Sequence, residues 1–198
     1  MIHSVEFKED WRCFKVGDSF DFRPGVNLLV GDQGCGKSSL FAILRDAAKN
    51  GDKSLKKKAR VHCDKSQLFS FDFEHENPRT VGYFLDDTLS QVAAMFSSHG
   101  ECNRAVFAAT RTASDCVLLM DEPDMALSIR SCKMLVLQLK ALVQRNSQVI
   151  IAVHNITMIQ AFDEVLSLEH RKWMPSAEFI ASHLACVYCG CHPCGCGG

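Results

Sequence analysis

Apolar and polar residues alternate over residues 2–7 ("IHSVEF") and 19–22 ("SFDF"), the two-residue period of a half-buried strand. "VNLLV" at 26–30, "CVLLM" at 116–120 and "QVIIAV" at 148–153 are instead almost continuous apolar runs, which suit strands covered on both faces. A short strand is predicted at 164–168. Another is predicted at 68–73, with Leu68, Ser70 and Asp72 on one face and Phe69, Phe71 and Phe73 on the other, before a turn closed by Pro78. Leu40, Phe41 and Leu44 form the stripe of a helix from Lys37 to about Ala48, which the "KNGD" turn ends. Further helices are predicted at 86–96, 101–112 and 128–145, and a last one carries Trp173, Phe179 and Ile180 onto the domain. The run "KSLKKKAR" at 53–60 reads as a solvated loop or helix face, with contact to a polyanion as the alternative. Buried strands alternating with helices predict an α/β fold, a mostly parallel sheet with helices on both faces. No internal repeat and no heptad interrupts this pattern.

Composition narrows the class. With 198 residues, 47% of them hydrophobic, the chain has enough apolar mass for one domain with a full core. A net charge of −1 gives no global attraction to nucleic acid or an anionic membrane. The longest apolar runs fall far short of the roughly 20 residues that span a bilayer. The start, "MIHSVEFKED", does not resemble a secretory leader, so a cytoplasmic protein without membrane insertion is expected. Of 11 cysteines, Cys13, Cys35, Cys63, Cys102, Cys116 and Cys132 are scattered and the rest crowd into residues 186–196. That distribution argues against a secreted disulfide framework.

"GDQGCGKS", Gly31 to Ser38, follows a strand and opens a helix, as a phosphate loop must. Glycine lets backbone N–H groups turn inward around phosphate oxygens, and the helix N-terminus adds its dipole. Gly31, Asp32, Gln33, Gly34, Cys35, Gly36, Lys37, Ser38 and Ser39 are therefore the expected nucleotide-binding residues, with Lys37 reaching the β- and γ-phosphates and Ser38 ligating magnesium. "CVLLMDEPD" supplies the partner element: a buried strand ending in Asp121, for magnesium, and Glu122, to activate water. "VIIAVHN" is a further buried strand that delivers His154 as a γ-phosphate sensor. For Cys35, redox control of nucleotide access is the sharper reading and a tolerated variable position the plainer one.

This ordered set resembles the ABC-type ATPase head, in the soluble branch that includes SMC and RecF proteins. "NLLVGDQGCGKSS", "SSHGE" at 97–101, "DEPD" followed by "MALS", and His154 carry the resemblance over about residues 1–170. It implies ATP and Mg²⁺ as cofactors and a head-to-tail homodimer in which ATP lies between the phosphate loop of one copy and the SSHGE turn of the other. Ser98 and the Gly100 amide would then bind the neighbour's γ-phosphate. "DWRCF" is similar to an early segment of the branch and implies that Arg12 lies near the nucleotide. Three departures are visible. Ser128 stands where transporter members have Asp, Asp124 replaces their threonine, and "EHENPR" lacks the expected glutamine, leaving Glu74 or Glu76 as substitutes. About sixty residues between Lys37 and the turn leave no room for a coiled-coil arm. The cycle is expected to act as a mechanical or regulatory switch, on nucleic acid or through a protein partner.

The end of the chain, "HLACVYCGCHPCGC", spaces Cys186 from Cys189 and Cys191 from Cys194 as C-x-x-C, with Cys196, His183 and His192 nearby. Soft thiolates at that spacing suit zinc, held in a small clasp rather than a folded finger. A reduced disordered tail and disulfide crosslinks are the alternatives. The expected division is an ATPase domain over 1–182 and a Cys/His-rich metal-binding tail over 183–198.

Overall fold

The computed structural model describes residues 1–48, 53–64, 66–72, 113–125 and 127–184. In chain order the elements are β1 (Ile2–Phe7), β2 (Ser19–Asp21), β3 (Val26–Val30), α1 (Lys37–Ala48), α2 (Lys53–Lys58), β4 (Ala59–Cys63), β5 (Gln67–Asp72) and β6 (Cys116–Asp121). There follow α3 (Ile129–Gln144), β7 (Gln148–Ala152), α4 (Ile156–Ile159), β8 (Glu164–Ser167), β9 (Lys172–Pro175) and α5 (Ser176–Leu184). The expected helices at 86–96 and 101–112, the SSHGE turn, Glu74, Glu76 and residues 185–198 lie outside the described residues.

Six strands form the central sheet in the order β5-β6-β7-β3-β8-β9, parallel throughout except for β9. The continuous apolar runs sit at its centre for the anticipated reason: every residue of β6 and β7 is buried. Successive residues divide between two cores. Leu118, Met120, Val149 and Ile151 face α3, whose Cys132, Leu135 and Leu139 meet them. Val117, Leu119, Ile150 and Ala152 face α1 and a cluster of Phe7, Phe14 and Phe20. The sheet is thus covered on both sides, and the fold class is as the periodicity predicts.

Three features differ from the sequence reading. A second, antiparallel sheet, β2-β1-β4, shares one side of the central sheet with α1, and its strand β4 follows directly on the basic helix α2. The lysines hid β4, whose Ala59 is buried and whose Val61 packs against the core. Trp173 lies on β9, not on the last helix, because Pro175 disfavours helical backbone before it and α5 starts only at Ser176. Its ring lies under the Arg23 guanidinium at 4.1 Å, and its Nε1 donates to the Asp21 carbonyl at 2.9 Å. Gln148 joins the two sheets: it accepts from Ile2 N at 2.7 Å and donates to the carbonyls of Ile2 and Arg23 at 2.7 and 3.0 Å.

Candidate nucleotide site

The loop after β3 turns where only glycine is at ease. Gly36 has φ +106°, and a Cβ there would lie 2.4 Å from Cys13 Sγ and 2.7 Å from the Phe14 ring. At Gly31, φ +143°, a Cβ would meet Cys35 Sγ at 2.7 Å. The loop backbone is therefore pressed against the turn at residues 11–14, where Trp11 and Phe14 exchange backbone hydrogen bonds at 2.9 and 3.0 Å. That turn places Arg12 beside the loop: its Nη1 donates to Ser39 Oγ at 2.9 Å, on the first turn of α1.

Lys37 is only 5% exposed, and its ammonium donates to the carbonyls of Gly31 and Asp32 at 2.8 and 3.1 Å. Both acceptors belong to the loop itself, so the charge is held at its centre, where an incoming phosphate can exchange places with them. Asp32, Gln33, Gly34 and Ser38 are exposed, leaving the mouth of the loop open. Burial pushes the Cys35 thiol up, an effect that the nearby Lys37 charge only partly opposes. A thiol held protonated is a poor nucleophile, which favours the plainer reading of Cys35.

The acidic elements arrive two strands away, with β7 between. Asp121 closes β6 and is buried; Glu122 follows in the left-handed region, φ 54°, anchored by its N–H to the Ala152 carbonyl at 3.1 Å. His154, just past the end of β7, meets it: Nε2 lies 2.6 Å from Glu122 Oε1. A residue that the sequence reading did not place in the site holds this arrangement. Asp124 Oδ2 accepts from the backbone N–H of His154 at 2.9 Å and of Asn155 at 2.6 Å, while its Oδ1 is buried with no hydrogen-bond partner. Burial raises the Asp124 carboxyl above the ordinary carboxylate range, with those backbone donors opposing the shift. Its signal was its spacing, three residues beyond Asp121 in a motif already noted.

Ser38 and Asp121 offer oxygen donors of the hard kind that Mg²⁺ prefers, at the N-terminus of α1 and the C-terminal end of β6. A cavity of about 200 Å³ opens at the ends of β3 and β7, lined by Gly31, Asp32, Val153, His154, Phe179 and His183 among others. Ser98 and Gly100 lie outside the described residues, as do Cys186, Cys189, Cys191, Cys194, Cys196 and His192. His183 is described. It belongs to α5, where its Nε2 lies 3.8 Å from Asp32 Oδ1 and 3.5 Å from Glu169 Oε2. Nothing in the sequence pointed to Glu169, which is 137 residues from Asp32 and whose carboxylate accepts from the Asp32 N–H. Ser128, at the position of the transporter aspartate, caps α3: its Oγ accepts from Ser131 N at 3.2 Å. Among the described residues no helix is long and apolar enough to cross a membrane.

Residues 9–101 match a family described as an AAA domain. That span holds the phosphate loop and the SSHGE turn and stops before Asp121. No curated protein matches the chain at a significant level. Among solved structures it is similar to a chain from an inward-facing ABC transporter assigned to the metal-chelate type, with a TM-score of 0.60 and 20% identity over 91% of this chain and 85% of that one. It is also similar to cbiO1 from Clostridium perfringens, part of the ABC transporter complex cbiONQ, with a TM-score of 0.60 and 15% identity over 91% of this chain and 90% of that one. The likeness shows the fold: an α/β domain with a mostly parallel sheet, arranged as in P-loop ABC ATPases.

Proposed function

We propose that the chain is a Mg²⁺-dependent ATPase of the soluble SMC/RecF-like ABC branch, working as an ATP-dependent head-to-tail homodimer. The observation that carries this reading is the Glu122–His154 contact of 2.6 Å at the sheet end that also bears the phosphate loop. Lys37 and the loop amides hold the phosphates, and Ser38 and Asp121 would hold Mg²⁺, which neutralises phosphate charge when bound. Glu122 Oε1 takes a proton from the attacking water as its oxygen bonds to the γ-phosphorus and the bond to the β-phosphate oxygen breaks. ADP and phosphate leave. With ATP bound, the single Nε2–H of His154 would turn from Glu122 Oε1 to the γ-phosphate, which frees that oxygen to take the water's proton and links the phosphate's presence to Glu122.

The open mouth of the loop favours a dimer. Ser38 and His154 are exposed, so water exclusion needs a cover, which Ser98 and Gly100 of a second copy would supply. Light scattering of Glu122→Gln with and without Mg-ATP tests this. A dimer seen only with ATP, and lost when Ser98→Arg is added, is expected; a monomer throughout despite bound ATP contradicts it.

The cycle's target is read as nucleic acid, because Lys56, Lys57 and Arg60 stand exposed together on α2 and β4. Salt-sensitive binding that Lys56→Glu with Lys57→Glu abolishes supports this, and no binding at any salt refutes it. The other reading is an adaptor that presents the tail over 183–198, where the cysteines would hold zinc, to a protein partner. A transporter subunit fits less well, since Ser128 stands where that group has aspartate.

A further inference from the structure

We propose that Asp32, Glu169 and His183 form a binding site for a divalent transition-metal ion of the zinc class. The site is separate from the nucleotide's magnesium and from the thiolates of the tail. One ligand atom from each residue lies within 4.8 Å of the others.

The orientation of His183 is the first argument. Its Nδ1 is 2.9 Å from the Phe179 carbonyl, which can only accept, so Nδ1 carries a proton and donates. Nε2 is therefore the nitrogen turned to the two carboxylates. A histidine that donates one ring N–H to a backbone carbonyl and aims the other nitrogen at a cluster of oxygens has the outer-shell arrangement of a metal ligand. The ring is also steadied by Phe179, at 4.0 Å between centroids.

Spacing is the second. Nε2 lies 3.5 Å from Glu169 Oε2 and 3.8 Å from Asp32 Oδ1. Both distances exceed the ~2.7–3.2 Å of a strong hydrogen bond; a protonated His183 pairs with the carboxylates at this range, and a bound cation would take that proton's place. Ligands at about 2.1 Å from a tetrahedral ion stand roughly 3.4 Å apart, close to the two His183 distances, and the two carboxylates lie within 4.8 Å of each other. Glu169 is itself oriented, since its other oxygen accepts from the Asp32 backbone N–H. One nitrogen and two carboxylate oxygens leave a fourth position for water, and the exposure of all three residues gives the ion a path in.

The placement has a consequence. Asp32 is the second residue of the phosphate loop and His183 is on the last helix, so the ion would fasten that loop to α5.

Zinc titration by calorimetry tests the site. The sample is the full chain carrying Cys186→Ser, Cys189→Ser, Cys191→Ser, Cys194→Ser and Cys196→Ser, so that tail thiolates do not compete. One Zn²⁺ per chain is expected, with affinity reduced more than about tenfold by Glu169→Gln and by His183→Gln. Circular dichroism checks that both variants fold. Should either fail to fold, ¹⁵N NMR of the parent decides: Zn²⁺ should shift Nε2 of His183 and leave Nδ1 protonated. No zinc uptake, uptake that neither variant weakens, or an unmoved His183 resonance would overturn the proposal.

Discussion

His154 Nε2 and Glu122 Oε1 lie 2.6 Å apart, although the two residues are 32 positions apart in sequence and each lies just beyond the end of a different strand. The contact exists because Asp121 and Ala152 are paired across β6 and β7, so the residues that follow each strand emerge side by side. Glu122 to Gln should therefore lower ATP turnover by about 10²–10⁴-fold while leaving ATP binding nearly unchanged. His154→Ala should lower turnover by at least about tenfold, also with binding retained. Steady-state turnover beside equilibrium binding of a fluorescent ATP analogue separates the two effects; a variant losing both equally would place these residues in binding alone.

Gly36→Ala should abolish nucleotide binding. The added methyl would enter space held by Cys13 and the buried ring of Phe14, at a φ that non-glycine residues avoid. Relief requires the loop to leave the turn at residues 11–14, which moves the amides that cradle phosphate. Unchanged ATP affinity would show that the loop tolerates that displacement.

Asp124 makes stability depend on pH in a direction opposite to that of an ordinary paired carboxylate. Its pKa is raised in the folded state from 3.8, chiefly by burial. The fold thus favours the protonated form, and this contribution is full below that value and lost as pH rises through the folded pKa. Asp124→Asn keeps an acceptor for the N–H groups of His154 and Asn155 but does not titrate. Urea midpoints taken at about pH 4 and about pH 7 should show the wild type losing more stability on that rise than the Asn variant. Asp124→Ala leaves both donors without their acceptor and should cost ~1–3 kcal/mol or more at either pH. Parallel profiles for wild type and Asn would contradict the assignment.

Gln148→Ala should destabilise the chain by about 2–4 kcal/mol in urea unfolding. It removes three hydrogen bonds at a buried junction and leaves Ile2 N–H and C=O without that partner. A loss below ~1 kcal/mol would mean that the junction of the two sheets does not depend on the Gln148 hydrogen bonds.

Local chemistry was legible and distant contacts were not. The apolar runs at 26–30, 116–120 and 148–153 gave β3, β6 and β7 because a strand buried on both faces has no polar positions to disguise it. The phosphate loop was legible because its conformation is written into adjacent residues. β4 was hidden by the flanking lysines, and β9 by a segment whose charges and aromatics read as a helix until Pro175 is given its due weight. Neither Asp124 as the anchor of His154 nor Glu169 beside Asp32 could be read from periodicity. Each depends on which strand ends become neighbours in the sheet, and that order, β6-β7-β3-β8, is not sequential.

The most direct test of the account is phosphate release from ATP by the purified chain, with Mg²⁺ and with EDTA, alongside Glu122→Gln. Turnover that requires Mg²⁺ and disappears in Glu122→Gln while ATP remains bound is the predicted result. ATP that binds to the wild type but is not hydrolysed under any of these conditions, or turnover undiminished in Glu122→Gln, would contradict the assignment of this site as a hydrolytic centre.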